Sequence, residues 1–169
     1  MFPVSTRNRL CRSRGALFLG VLVAGQIFCA AHAVDTSTTK TFTGDWKYKQ
    51  TCGYQHSATV TLTQTGENVT GDWTDGTRLS GSDGSLKGSI RNGKLYVRYC
   101  GGDEHAGYAV CPSYETEESD YFARQGSNLV WYRKVGKKEE STYEKYVVLH
   151  PVIKGKHLPV DDHCTDDKN

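Results

Sequence analysis

Apolar and polar residues alternate one for one in several stretches of the chain. In Thr41–Lys49, Phe42, Gly44, Trp46 and Tyr48 share one face, and Thr43, Asp45 and Lys47 share the other. In Ser57–Thr65 the threonines at 59, 61 and 63 oppose Ala58, Val60 and Leu62. Val69–Thr74 repeats the pattern with Val69, Gly71 and Trp73, and Leu95–Cys100 with Leu95, Val97 and Tyr99 against Tyr96, Arg98 and Cys100. A period of two marks half-buried strands. Turn signals separate them: Gly66-Glu67-Asn68, Asp75-Gly76, Asp83-Gly84, Asn92-Gly93, Gly126-Ser127-Asn128 and the charged run Gly136–Glu140. Asp83-Gly84 divides Thr77–Gly81 from Ser85–Ile90 as two short strand-like pieces. Asp120–Arg124, Leu129–Val135 and Thr142–His150 complete the set, and Pro151 disfavours continuation of the last strand.

No window carries a 3.6-residue apolar period, so no long helix is predicted in the mature chain. Turns recur about every ten residues, the rhythm of all-β sandwiches and barrels. Short connections make sequential strands pair as an antiparallel meander. About eight short strands therefore predict a small up-and-down β-barrel, with a β-sandwich as the alternative. One connection breaks the rhythm. Between Cys100 and Asp120 runs a long loop, rich in glycine, acids and tyrosine, and loops held by a rigid scaffold are where binding residues concentrate.

Residues 1–33 fit a cleaved signal peptide. Arg7, Arg9, Arg12 and Arg14 form a basic segment without acids, Ala16–Ala30 is apolar, and Ala31-His32-Ala33 has the small-x-small form of a cleavage site. The apolar run is short for a membrane span. Residues 34–169 then form a single disulfide-bonded β domain, with an irregular tail at 151–169. Of 21 basic and 19 acidic residues, four arginines and no acid leave with the signal, so the mature balance is 17 against 19. A net charge of −2 argues against nucleic acid as a partner.

Cys52, Cys100, Cys111 and Cys164 remain in the mature chain. An even count in an exported protein predicts two disulfides and a periplasmic or secreted location. Three connectivities are open; the preferred one joins Cys100 to Cys111 and Cys52 to Cys164. No CxxC spacing suggests a metal site.

Thr43-Gly44-Asp45-Trp46 recurs as Thr70-Gly71-Asp72-Trp73. Convergence on one packing solution explains this better than duplication, because the flanking residues differ. Gly44-Asp45-Trp46 also resembles the G-x-W opening of lipocalins and, more loosely, the first strand of avidins. Ser119-Asp120-Tyr121 is similar to the T-D-Y motif later in the lipocalin barrel, and Cys164 to their C-terminal disulfide partner. The resemblance implies a small β-barrel and a carrier of a small apolar ligand. It covers only these positions. Nothing after the last strand reads as the helix that follows it in lipocalins, and the inward residues are large, which predicts a packed interior or a small cavity.

Candidate chemistry is sparse. His56, His105, His150, His157 and His163 are scattered without metal-ligand spacing, and no cofactor is expected. Glu115, Glu117, Glu118 and Asp120 form an acidic run suited to a carboxylate hydrolase only if two of them oppose each other. No G-x-S-x-G elbow is present. Asp103, Glu104 and His105 at the loop tip, with Tyr108, Tyr114, Glu115 and Glu117, and with Tyr96 and Arg98 facing outward on the preceding strand, are the candidate partner-binding residues. Tyrosine and arginine beside a constrained loop have the composition of interface hot spots. The expected function is a non-catalytic protein-binding module, most concretely an inhibitor or immunity-type protein acting on a cell-wall hydrolase. A lipocalin-like carrier is the alternative, and a hydrolase using loop carboxylates the third reading.

Overall fold

The computed structural model describes residues 41–102, 107–137 and 140–164. The expected signal peptide and the loop-tip residues Asp103, Glu104 and His105 lie outside them. The described residues form eight antiparallel strands and no helix: β1 (Gly44–Lys49), β2 (Ser57–Thr65), β3 (Asn68–Gly76), β4 (Gly81–Arg91), β5 (Lys94–Gly101), β6 (Asp120–Gln125), β7 (Asn128–Val135) and β8 (Thr142–Pro151). Each pairs with its successor, and β8 returns to β1, so the sheet closes as an up-and-down barrel.

The alternation dictates the wall. Leu95, Val97 and Tyr99 are buried while Tyr96 and Arg98 between them face outward. Every strand contributes to the interior: Trp46, Val60, Trp73, Leu86, Tyr99, Phe122, Trp131 and Leu149 are all buried in one cluster. Eight strands enclose a space that side chains can just fill, and three indoles fill much of it. Burial of each such aliphatic or aromatic side chain contributes roughly 1.5–3 kcal/mol.

One expected turn is absent. Asp83-Gly84 lies inside β4, which runs unbroken from Gly81 to Arg91, and the chain turns instead at Thr77–Ser80. Gly84 is there for space: a Cβ on it would lie 1.9 Å from the Cys100 carbonyl oxygen on β5. The dipeptide that usually marks a turn here marks a close approach of two backbones.

Both disulfides join the preferred partners, Cys52 with Cys164 and Cys100 with Cys111. They belong to an oxidising, extracytoplasmic type of environment. The first ties the tail to the loop after β1. The second folds the long loop back on the end of β5, where Gly101 and Val110 form a parallel bridge. Among the described residues no helix is long and apolar enough to cross a membrane.

Candidate functional site

The ends of β1, β3, β5 and β7 and the starts of β2, β4, β6 and β8 meet at one mouth of the barrel, under the long loop. A bar of polar side chains crosses it. Arg133 near the end of β7 donates to Asp75 Oδ2 at 2.5 Å. Asp75 is on β3, four strands away and so on the opposite wall. His56 Nε2, just before β2, lies 2.7 Å from Asp75 Oδ1, and the Tyr146 hydroxyl of β8 lies 2.9 Å from Oδ2 and 3.0 Å from His56 Nε2. The Arg133 guanidinium stacks on the Tyr146 ring at 3.7 Å.

A register shift between β7 and β8 places Tyr146 there. Trp131 pairs with Val147 but Tyr132 with Lys145, leaving Tyr146 as the extra residue of a bulge. Bulges re-aim side chains, and this one turns the Tyr146 ring onto Trp131. Burial pushes the Asp75 pKa up, but hydrogen bonds from His56 and Tyr146 and the Arg133 charge outweigh it and hold the carboxyl below its ordinary range. Burial, and then the Asp75 charge, push the Tyr146 phenol well above its ordinary value. The pair stays a carboxylate and a neutral phenol at physiological pH.

Beneath this bar lies a second anchor. Asp120, buried at the start of β6, accepts from the Trp131 indole at 2.6 Å, the Lys134 backbone N–H at 3.1 Å and the Tyr99 hydroxyl at 3.2 Å. Burial raises its pKa, against the opposing effect of these donors and Arg133.

The loop completes the lid. Tyr108 is half-buried, its ring 4.8 Å from that of Trp73 and 5.8 Å from that of Tyr99. Glu115 turns inward, accepting from the Ser119 hydroxyl, while its own N–H bonds the Tyr99 carbonyl. These two predicted partner-binding residues therefore hold the loop down on the barrel. The other described ones, Glu117, Tyr114, Tyr96 and Arg98, lie on the outside of the barrel. Glu117 is exposed at the loop's edge, 4.0 Å from Lys134. Tyr114 lies under the Lys87 ammonium, 4.3 Å from its ring centroid. Tyr96 and Arg98 line a separate hollow of about 320 Å3 on the outer wall, with Lys87 and Glu118.

Two clefts flank the lid. One, of about 530 Å3, is lined by His56, Asp75, Tyr146, the Thr77–Ser80 turn, Asp83 and Gly102. The other, about 590 Å3, runs along Glu115–Asp120 and Lys134. Among the described residues neither assembles a catalytic set. His56 Nε2 is occupied by Asp75 and Tyr146, so it is not presented to a serine. In the acidic cleft, Asp120 is bonded to three donors, Glu115 to Ser119, and Glu118 to Arg91 at 2.5 Å.

The His56–Asp75–Arg133–Tyr146 group was not singled out in the sequence. Its members come from four segments as much as 90 positions apart, and only the strand register brings them together. The one local signal is the loss of alternation at Tyr146-Val147-Val148, where the bulge sits.

Compared with known proteins, the chain matches no family model, no curated protein and no solved structure.

Proposed function

We propose that the protein is an exported, non-catalytic binding module that engages a partner protein through the rim of the barrel mouth. The observation that carries this reading is the closure of the barrel by its own side chains. Trp73, Tyr99, Phe122 and Trp131 occupy the interior, Arg133 and Asp75 bridge the mouth, and Tyr108 packs down from the loop. What such a barrel offers is its surface. The rim carries a disulfide-held loop with Tyr114 and Glu117 beside Lys134, the mixture of aromatic and charged groups that interfaces use. The most concrete form is an inhibitor or immunity-type protein of the periplasm or extracellular space, its loop set against the cleft of a cell-wall hydrolase.

The carrier reading fits less well. A small apolar ligand needs a largely apolar pocket, and the cleft beside the mouth is lined by His56, Asp75, Thr77, Ser80, Ser82 and Asp83.

The test uses the mature, disulfide-bonded protein in a peptidoglycan-hydrolysis assay with cell-wall hydrolases of its own host and of its competitors. Inhibition that is lost in Tyr114→Ala with Glu117→Lys, while circular dichroism and Tm hold, supports the reading. Inhibition unchanged by that pair would remove the rim as the site. Deleting Gly102–Val110 is a poorer test, because it also strips Tyr108 from Trp73.

A further inference from the structure

The barrel closes through a short seam. Trp46 pairs with Pro151 and Lys47 with His150, and the Val152 N–H bonds the Asp45 carbonyl at 2.8 Å. Bonded and non-bonded pairs alternate along an antiparallel ladder. Pro151, which has no N–H, sits at the non-bonded position. The alternation then points the backbone N–H and C=O of Val148 toward β1, where a continued register would set them against Lys49.

Lys49 is taken by another partner. Its carbonyl accepts from the Asp161 N–H at 2.8 Å, and the Asp161 carbonyl accepts from the Thr51 N–H at 3.1 Å. The tail, tied at its end by Cys52–Cys164, has replaced β8 beside the end of β1. The Tyr48 hydroxyl fixes it further, 3.0 Å from Asp161 Oδ2. Among the described residues, β8 from Lys145 to Leu149 therefore has no strand on its β1 side. Between that edge and the tail runs a groove of about 440 Å3, lined by Tyr48, Lys145, Val148, His150 and Val160.

We propose that this edge of β8 is a docking site for an extended, acidic peptide segment of a partner protein, which adds as a strand against Val148. An open edge is a template for such addition. Five residues of β8 give a segment about 17 Å long, the length of an ordinary strand. Charge selects the occupant. Lys47, Lys145 and His150 flank the groove on its outer side, whereas the Asp161 carboxylate is engaged by Tyr48 and stands beside His163. A segment alternating acidic and small apolar residues would set its acids on the outer side, toward the lysines, and its apolar side chains on the opposite face, toward Tyr48 and Val147.

The experiment is amide hydrogen exchange of the mature protein, read by NMR, with a capped synthetic heptapeptide of alternating Asp and Val as probe. Without peptide, the Val148 N–H exchanges about tenfold or more faster than those of Val147 and Leu149, which face β7. With saturating peptide, Val148 gains protection of about tenfold or more while Val147 is unchanged; a Lys-Val peptide of the same length gives none. Val148→Pro, a substitution an edge strand tolerates, abolishes peptide binding. Four results would overturn the proposal: equal protection of the three amides in the free protein, protection of Val148 that grows with protein concentration and so assigns the edge to a second copy, no protection by the Asp-Val peptide, or binding that survives Val148→Pro. If Val148→Pro fails to fold, the exchange rates decide by themselves. Tyr114 and Glu117 do not line this groove, so the rim and edge readings fail or stand separately.

Discussion

Trp46 and Trp73 face Val60 from opposite sides. In the register of the sheet, Trp46 pairs with Val60 from β1 and Trp73 from β3, while Gly44 and Gly71 pair with Leu62 in the same way. The two Thr-Gly-Asp-Trp segments thus flank one stretch of β2. Their aspartates also act alike, Asp45 accepting from Thr61 and Asp72 from Ser85. The glycines serve different needs. Gly44 has φ +140°, and a Cβ on Gly71 would lie 1.9 Å from the Thr61 carbonyl oxygen.

Gly71→Ala forces two backbones apart and is predicted to cost about 3 kcal/mol or more, the upper range for overpacking. Gly44→Ala meets only backbone strain, about 1–3 kcal/mol. Gly102→Ala, whose Cβ would meet nothing closer than 3.7 Å, should stay within about 0.5 kcal/mol of wild type. Urea denaturation of the three variants checks the order.

The two interior indoles near the mouth differ in one respect. Trp131 donates to Asp120, whereas the buried Trp73 N–H has no partner among the described residues. Trp131→Phe therefore removes a charge-assisted hydrogen bond, worth about 1.5–3 kcal/mol, in addition to its packing. Trp73→Phe loses packing alone. Asp120→Ala leaves the Trp131 donor, and the Tyr99 and Lys134 donors with it, unsatisfied, and should destabilise by about 3 kcal/mol or more. Equal costs for the two tryptophan variants would contradict this account.

Asp75 and Asp120 have opposite signs in pH dependence. The folded-state pKa of Asp75 lies below its ordinary value of 3.8, so its contribution is present above that value and lost as pH falls below it. The folded-state pKa of Asp120 lies above 3.8, so its contribution is complete below that value and lost as pH rises through the folded-state pKa. In thermal melts from pH 7 to 2.5, Asp75→Asn should lack part of the wild-type decline below pH about 4. Asp120→Asn should lack a gain that wild type shows as pH falls toward that value.

The disulfides close loops of very different length. Cys100 and Cys111 are 11 residues apart, Cys52 and Cys164 112. In the chain-entropy account the long loop contributes about 4.7 kcal/mol and the short one nearer 3. Replacing the Cys52–Cys164 pair by serine should thus cost more, and it should also release Asp161 from β1. Chemical denaturation gives the energies, and exchange at the Asp161 amide reports the release.

Eight strands were legible because Leu95, Val97, Trp46 and Val60 alternate with polar neighbours, a signal carried by adjacent residues. The extra break expected in β4 came from Asp83-Gly84, where glycine's need for a turn and its need for backbone approach look the same in one dimension. The loop was legible as a feature, but not its inward half. Tyr108 and Glu115 read as surface residues, and only the folded loop lays the Tyr108 ring on Trp73 and Tyr99 and bonds the Glu115 N–H to the Tyr99 carbonyl. The mouth network was not legible at all, since Asp75 and Arg133 become neighbours only when β3 and β7 stand on opposite walls of a closed barrel.

The central claim is that a self-filled barrel works through its surface. Native mass spectrometry of the mature protein isolated from its own host tests it most directly. The account predicts a second polypeptide bound in stoichiometric amount, lost in Tyr114→Ala with Glu117→Lys, and no adduct on the protein itself. A mass excess of about a few hundred daltons, the size of a pocket ligand, without a bound polypeptide would contradict it.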